Sequence, residues 1–86
     1  MDLNQLINII KKKISEPINV ESIRVEDKTF LHQKHQSFIK GKFHLKIIIK
    51  SDELKKKNKI EATKILHHII NEEIKNYIHS IQIFFE

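Results

Sequence analysis

The chain contains no cysteine and no tryptophan, and only one glycine, one proline and one tyrosine among its 86 residues. Without cysteine no disulfide braces the fold, and any metal held by this chain alone takes His, Asp or Glu as ligand. Gly41 is the single glycine, which rules out the GXXG loop with which RNA-clamping KH domains approach a nucleic-acid backbone. No apolar run approaches the ~18 residues that span a bilayer. The opening Met1-Asp2-Leu3-Asn4-Gln5-Leu6 lacks the basic start, apolar stretch and small-residue cleavage site of a secretory signal. A cytoplasmic protein without membrane contact is therefore expected. Nucleophile–base motifs, phosphate loops and metalloprotease patterns are also missing. Glu72 and Glu73 are adjacent on an expected helix, so they diverge and cannot form an acid–base pair. A protein that is not an enzyme is expected.

What is present describes a globular chain: 40% hydrophobic and 31% charged residues, with no repeat. Residues 1–86 read as one domain, near the lower size limit for an unaided core. Sixteen Lys and Arg against eleven Asp and Glu give a net charge of +5, which favours polyanions or an acidic protein partner.

Leu3, Leu6, Ile7, Ile10 and Ile14 recur at helical spacing behind a capping Asp2, with Lys11, Lys12 and Lys13 near the negative end of the dipole. The spacing predicts a helix over residues 2–15, stopped by Pro17. Ile23 and Val25 alternate with Arg24 and Glu26 as in a strand. Ile18 and Val20 have the opposite parity, so a bulge or a late start is expected within Ile18–Glu26. Thr29–Gly41 reads as a long polar loop, and long loops are often functional. Lys42–Lys50 alternates again, with Phe43, Leu45, Ile47 and Ile49 on one side. Ser51–Lys59 is a basic connector with room for a helical turn. Ala62, Leu66, Ile69, Ile70 and Ile74 mark a helix over residues 60–75, and Tyr77–Phe85 a last strand. The order α-β-β-(short helix)-α-β predicts a two-layer α+β domain with helices over one face of a small sheet.

Three segments in this order resemble the BolA family, over about three-quarters of the chain (residues 23–85). Asp27-Lys28-Thr29-Phe30-Leu31-His32-Gln33-Lys34-His35 resembles the family's Asp-x-Ser-x-x-His, with Thr for Ser. His44-Leu45-Lys46-Ile47-Ile48-Ile49-Lys50-Ser51-Asp52 is similar to its second strand, which opens on His-Phe and ends in Ser-Asp. Ile70-Asn71-Glu72-Glu73-Ile74-Lys75-Asn76-Tyr77-Ile78-His79-Ser80-Ile81-Gln82-Ile83 matches the family's Leu-x-x-Glu-(Ile/Leu)-x-x-x-(Ile/Val/Leu)-His-Ala-Leu-x-Ile without a gap. The family's Phe-x-Gly and Arg-His-Arg are replaced by Leu54-Lys55-Lys56 and Ala62-Thr63-Lys64, of which only Lys64 keeps a charge of the latter segment. The resemblance implies the BolA version of the KH-like class II architecture, with a three-stranded mixed sheet covered by helices on one face.

It also implies a partnership. BolA-family proteins pair with monothiol glutaredoxins around a shared [2Fe–2S] cluster, with glutathione as a further thiol source. Carried over, His79 is one ligand and a loop histidine, His32 or His35, the second. Counting forward from Asp27 selects His32, which is preferred; counting back from His44 over the usual loop length selects His35. Ligand chemistry is consistent with this division. Iron–sulfur clusters are normally held by thiolates, and a chain without cysteine supplies only nitrogen. Two imidazoles on one iron, as in Rieske centres, raise the reduction potential. Read without the resemblance, His79 shares parity with Ile81 and Ile83 and is a packed sheet-edge histidine. His44 lies on the polar parity of its strand and is expected solvated or supporting a ligand. His67 is expected to pack, and His68 to face solvent.

Lys55, Lys56, Lys57 and Lys59 form a basic run before the long helix, with Lys64 inside it. Such runs contact phosphates, though most are solvated connectors. Some BolA proteins are described as transcription regulators and some act in stress responses, so a DNA-binding regulator is the alternative reading. A zinc-responsive protein using the loop histidines is a third. The isolated chain is expected to be a monomer or weak homodimer that holds no cluster stably.

Overall fold

The computed structural model describes residues 1–29 and 42–86. The first helix, α1 (Leu3–Ser15), starts on a capping box in which the Asp2 carboxylate accepts from the Gln5 N–H and Gln5 Oε1 accepts from the Asp2 N–H. Leu6, Ile10 and Ile14 form its buried stripe. Strand β1 (Ser22–Asp27) starts late, which resolves the parity conflict at Ile18 and Val20: those residues precede the strand. Most of the expected loop, residues 30–41 with His32 and His35, lies outside the described residues.

Strand β2 (Phe43–Lys50) is the centre of a three-stranded sheet of order β1-β2-β3. It runs antiparallel to β1, with Ile23 opposite Ile49 and Val25 opposite Ile47. It runs parallel to β3 (Ile78–Phe85), with Leu45 opposite Ile81 and Ile47 opposite Ile83. The sheet is therefore mixed. A parallel pair needs a crossover, and here three helices supply it. Ser51 caps α2 (Asp52–Lys55), the helical turn of the connector. Asn58 caps α3 (Lys59–Ile69), and α4 (Asn71–Tyr77) follows.

The single helix expected over residues 60–75 is thus two. Ile70 leaves helical geometry at φ −106°, ψ 27°, although its N–H still reaches the Leu66 carbonyl. The break re-aims the second segment. Its buried residue is Glu73, whereas the stripe had pointed to Ile74, which is half-buried. Glu73 is received by Lys13 of α1, Nζ to Oε2 2.7 Å. Tyr77 falls in α4, so β3 starts one residue later than expected.

One apolar core holds the layers together: Leu6, Ile10 and Ile14 from α1, Leu45, Ile47 and Ile49 from β2, Ala62 and Leu66 from α3, with Leu54, Ile70 and Ile78. Each fully buried aliphatic side chain contributes roughly 1.5–3 kcal/mol. Leu66 is fully buried and Ile60, on the same helix, is 69% exposed. Leu66→Ala should therefore cost about 2–5 kcal/mol in a denaturant titration, and Ile60→Ala less than about 0.5 kcal/mol. Equal costs would place α3 wrongly on the sheet.

Two ion pairs make stability depend on pH in opposite directions. The hydrogen bond to Glu73 raises the Lys13 ammonium above its ordinary value, against the opposing effect of burial and with added help from the Glu73 and Glu72 charges. A raised lysine stabilises fully below its ordinary value, and that contribution is lost as pH climbs through the raised one. On β1, the hydrogen bond from Lys28 lowers the Glu26 carboxyl, burial opposes it, and the charges of Lys28, Lys46 and Arg24 add to it. That contribution is present above the ordinary carboxylate value and lost as pH falls through the lowered one. Thermal melts should show the deficit of Lys13→Met shrinking in strong alkali and that of Glu26→Gln shrinking in acid. A deficit independent of pH would remove the charge from the account.

Candidate functional site

The site is built where β3 begins. Phe43 pairs with Ile78 and His44 with Ser80, so the ladder shifts and His79 has no counterpart on β2. Such an extra residue re-aims its side chain relative to strict alternation. His79 is half-buried. Its ring meets that of His44 edge-on, with centroids 4.9 Å apart and planes inclined at 68°.

His44 is not solvated, as its parity had suggested: it is 2% exposed. Alternation predicts exposure only for a bare sheet face, and here the His44 ring packs against His79 and meets the Ser80 hydroxyl of β3. Ile48, of the same parity, is also buried, between Arg24 of β1 and Phe84 of β3. The His44 backbone is equally held. Its N–H donates to Thr29 Oγ1 at 3.1 Å and its carbonyl accepts from the Lys28 N–H at 2.7 Å. Thr29 is in turn fixed by the Asp27 carboxylate, which accepts from both its N–H and its hydroxyl. The Asp27 and Thr29 of the first motif thus secure the start of β2.

The His44 ring shares a hydrogen bond with Ser80, Nδ1 to Oγ 2.6 Å. Ser80 stands where the family pattern quoted above has Ala, so this chain adds a hydroxyl next to the histidine pair. Sequence reasoning missed the contact because it joins strands distant in sequence. The signal available was a polar residue directly after His79, at the position opposite His44 once the strands are aligned.

The other histidines and the lysines lie elsewhere. His67 is exposed, not packed as expected, because α3 turns Ala62 and Leu66 inward and leaves His67 on its outer side; His68 is exposed as expected. Lys55, Lys57 and Lys59 line one cleft and Lys59 and Lys64 a second, while Lys56 is exposed and lines neither. Among the described residues, no group of three or more His, Asp or Glu side chains is arranged to hold a metal ion. Among them, too, no helix is long and apolar enough to cross a membrane.

Comparison with known proteins agrees with this architecture. The family described as BolA-like protein matches residues 14–85. A solved BolA domain of SufE1 from Arabidopsis thaliana superposes with a TM-score of 0.75 at 20% identity, covering 92% of this chain and 87% of that one. BolA1 from Arabidopsis thaliana gives the same TM-score at 16% identity, covering 93% of this chain and 88% of that one. No curated protein matches the sequence. The chain is an α+β domain with the BolA fold. It belongs to the BolA-like protein family.

Ser80→Ala removes the hydroxyl that meets His44 Nδ1 without touching the core. It should cost about 1 kcal/mol and shift the imidazole NMR signals of both His44 and His79. A change at His44 alone would mean that the two rings are not mechanically linked.

Proposed function

We propose that this BolA-like chain is an adaptor in iron–sulfur cluster assembly or transfer. It docks on a monothiol glutaredoxin and contributes imidazoles to a shared [2Fe–2S] cluster. The carrying observation is the placement of His79: a half-buried imidazole at the start of β3, skipped by the strand ladder and braced by the His44 ring. The donor set fits a shared group better than a resident one. The chain has no thiolate, and His79 has no second and third ligand assembled around it among the described residues. His79 would hold the cluster together with His32 or His35, and the thiolates would come from the glutaredoxin and its glutathione. When bound, the cluster supplies electron storage and iron and sulfide for transfer, and nitrogen ligation raises its potential relative to thiolate.

The residues of this chain have simpler tasks in this reading. His79 presents a ring nitrogen, His44 and Ser80 fix the plane of that ring, and Asp27 and Thr29 hold the stem from which the loop histidine reaches. The chain is a binding module and not an enzyme, acting in the cytoplasm. The existence of a BolA domain in SufE1 supports a module that works beside other protein parts.

Mixing the protein with cluster-loaded monothiol glutaredoxin should yield a complex on a sizing column and change the visible absorption and circular dichroism. His79→Ala should alter the spectrum of that complex, and His32→Ala or His35→Ala should identify the second ligand. An unchanged spectrum with no complex would reject the adaptor reading.

A further inference from the structure

At the far end of β3 from His79 lies one hollow, and a second adjoins it along the outer side of α3. The first, of about 270 Å³, is floored by Leu54, Ala62, Phe84 and Phe85 and rimmed by Lys55, Lys57 and Lys59. The second, of about 500 Å³, lies along Lys59, Ile60, Thr63, Lys64 and His67. Ile60, Thr63, Lys64 and His67 recur at helical spacing on one side of α3, opposite the buried Ala62 and Leu66. Lys59 borders both hollows. Two of the three large exposed apolar side chains among the described residues border these hollows, Ile60 at 69% and Phe84 at 44% exposed, the third being Met1.

Lys55, Lys57, Lys59 and Lys64 have no carboxylate within ion-pair distance among the described residues, whereas Lys13, Lys28 and Lys50 each have one. Other lysines are also without a carboxylate, and what sets these four apart is that they gather around two apolar hollows. Unpaired cations around apolar hollows are complementary to a ligand with acidic groups between apolar ones.

We propose that this surface docks an acidic peptide segment of a partner protein, with one apolar side chain in each hollow and carboxylates against Lys57, Lys59 and Lys64. Two adjoining hollows that share a lysine suit a chain with two anchors, in the manner of segments recognised through spaced apolar side chains. A nucleic-acid strand fits less well. The Phe84 ring is already covered by the Lys46 ammonium at 4.8 Å, and the second hollow presents aliphatic Ile60 where a base would need a ring. The first hollow, at Phe84 and Phe85, lies roughly 16–20 Å along β3 from His79, at ~3.3 Å per residue. A partner here leaves the histidine end open, so the proposal stands independently of the cluster reading.

The test uses the full chain, isotopically labelled, and a synthetic acidic peptide of about twelve residues carrying two leucines. NMR shifts are expected at Ile60, Lys64, Phe84 and Phe85 and not at His79. The double variant Lys57→Glu/Lys59→Glu should weaken binding by roughly tenfold or more, and Ile60→Ser severalfold. Ile60 is exposed, so that variant should melt like the parent and decides the matter if the charge reversals disturb folding. Equal affinity for the same peptide with serine in place of both leucines would reduce the surface to bulk charge and overturn the proposal. So would tighter binding of a DNA oligonucleotide at the same salt, or no shifts at all.

Discussion

The parallel pairing of β3 with β2 is the constraint on which the molecule turns. Parallel neighbours cannot be joined by a tight turn. The chain must therefore travel the length of the sheet, through α2, α3 and α4, before β3 begins. That return path makes the second layer, buries Leu66 and Ile70 on the sheet, and delivers His79 beside the start of β2. It also carries Phe84 and Phe85 to the opposite end, next to the N-terminal half of α3. The histidine end and the basic end are separated because one strand connects them.

The histidine end is organised by an interplay of backbone and side chain. A strictly regular strand would send His79 toward the helices with Ile81 and Ile83. The skipped ladder position frees it from that alternation, and His44, buried with a hydrogen bond to Ser80, supplies a rigid wall for its ring. A buried polar side chain is costly without a partner, so the Ser80 hydroxyl compensates His44 while fixing its plane. In the proposed cluster role the absence of cysteine becomes chemically specific: the chain would offer orientation and nitrogen, and sulfur would come from another molecule.

Much of this was legible in the order of residues. The stripe of Leu6, Ile10 and Ile14, the Asp2 cap, the alternation of Phe43 to Ile49 and the mixed three-stranded sheet all followed from local periodicity and the family resemblance. What escaped depended on contacts between distant segments. Nothing local distinguishes a helix over residues 60–75 from two helices broken at Ile70, and it is the second of these that brings Glu73 to Lys13. The burial of His44 depends on His79 and Ser80, remote from it in sequence. Its parity alone pointed outward. His67 was misjudged because the stripe of α3 is narrow, Ala62 and Leu66, and its border is solvent. His79 was found through its motif, while the two loop histidines lie outside the described residues.

The Lys13–Glu73 pair ties together positions 60 apart in the chain. The family match opens at residue 14, inside α1, so Leu6, Ile10 and Lys13 fall ahead of it. A recombinant fragment trimmed to that boundary would strip the sheet of its first covering layer and leave an acidic side chain stranded beneath α4. The packed unit is therefore wider than the region that identifies its family, and it includes the whole of α1.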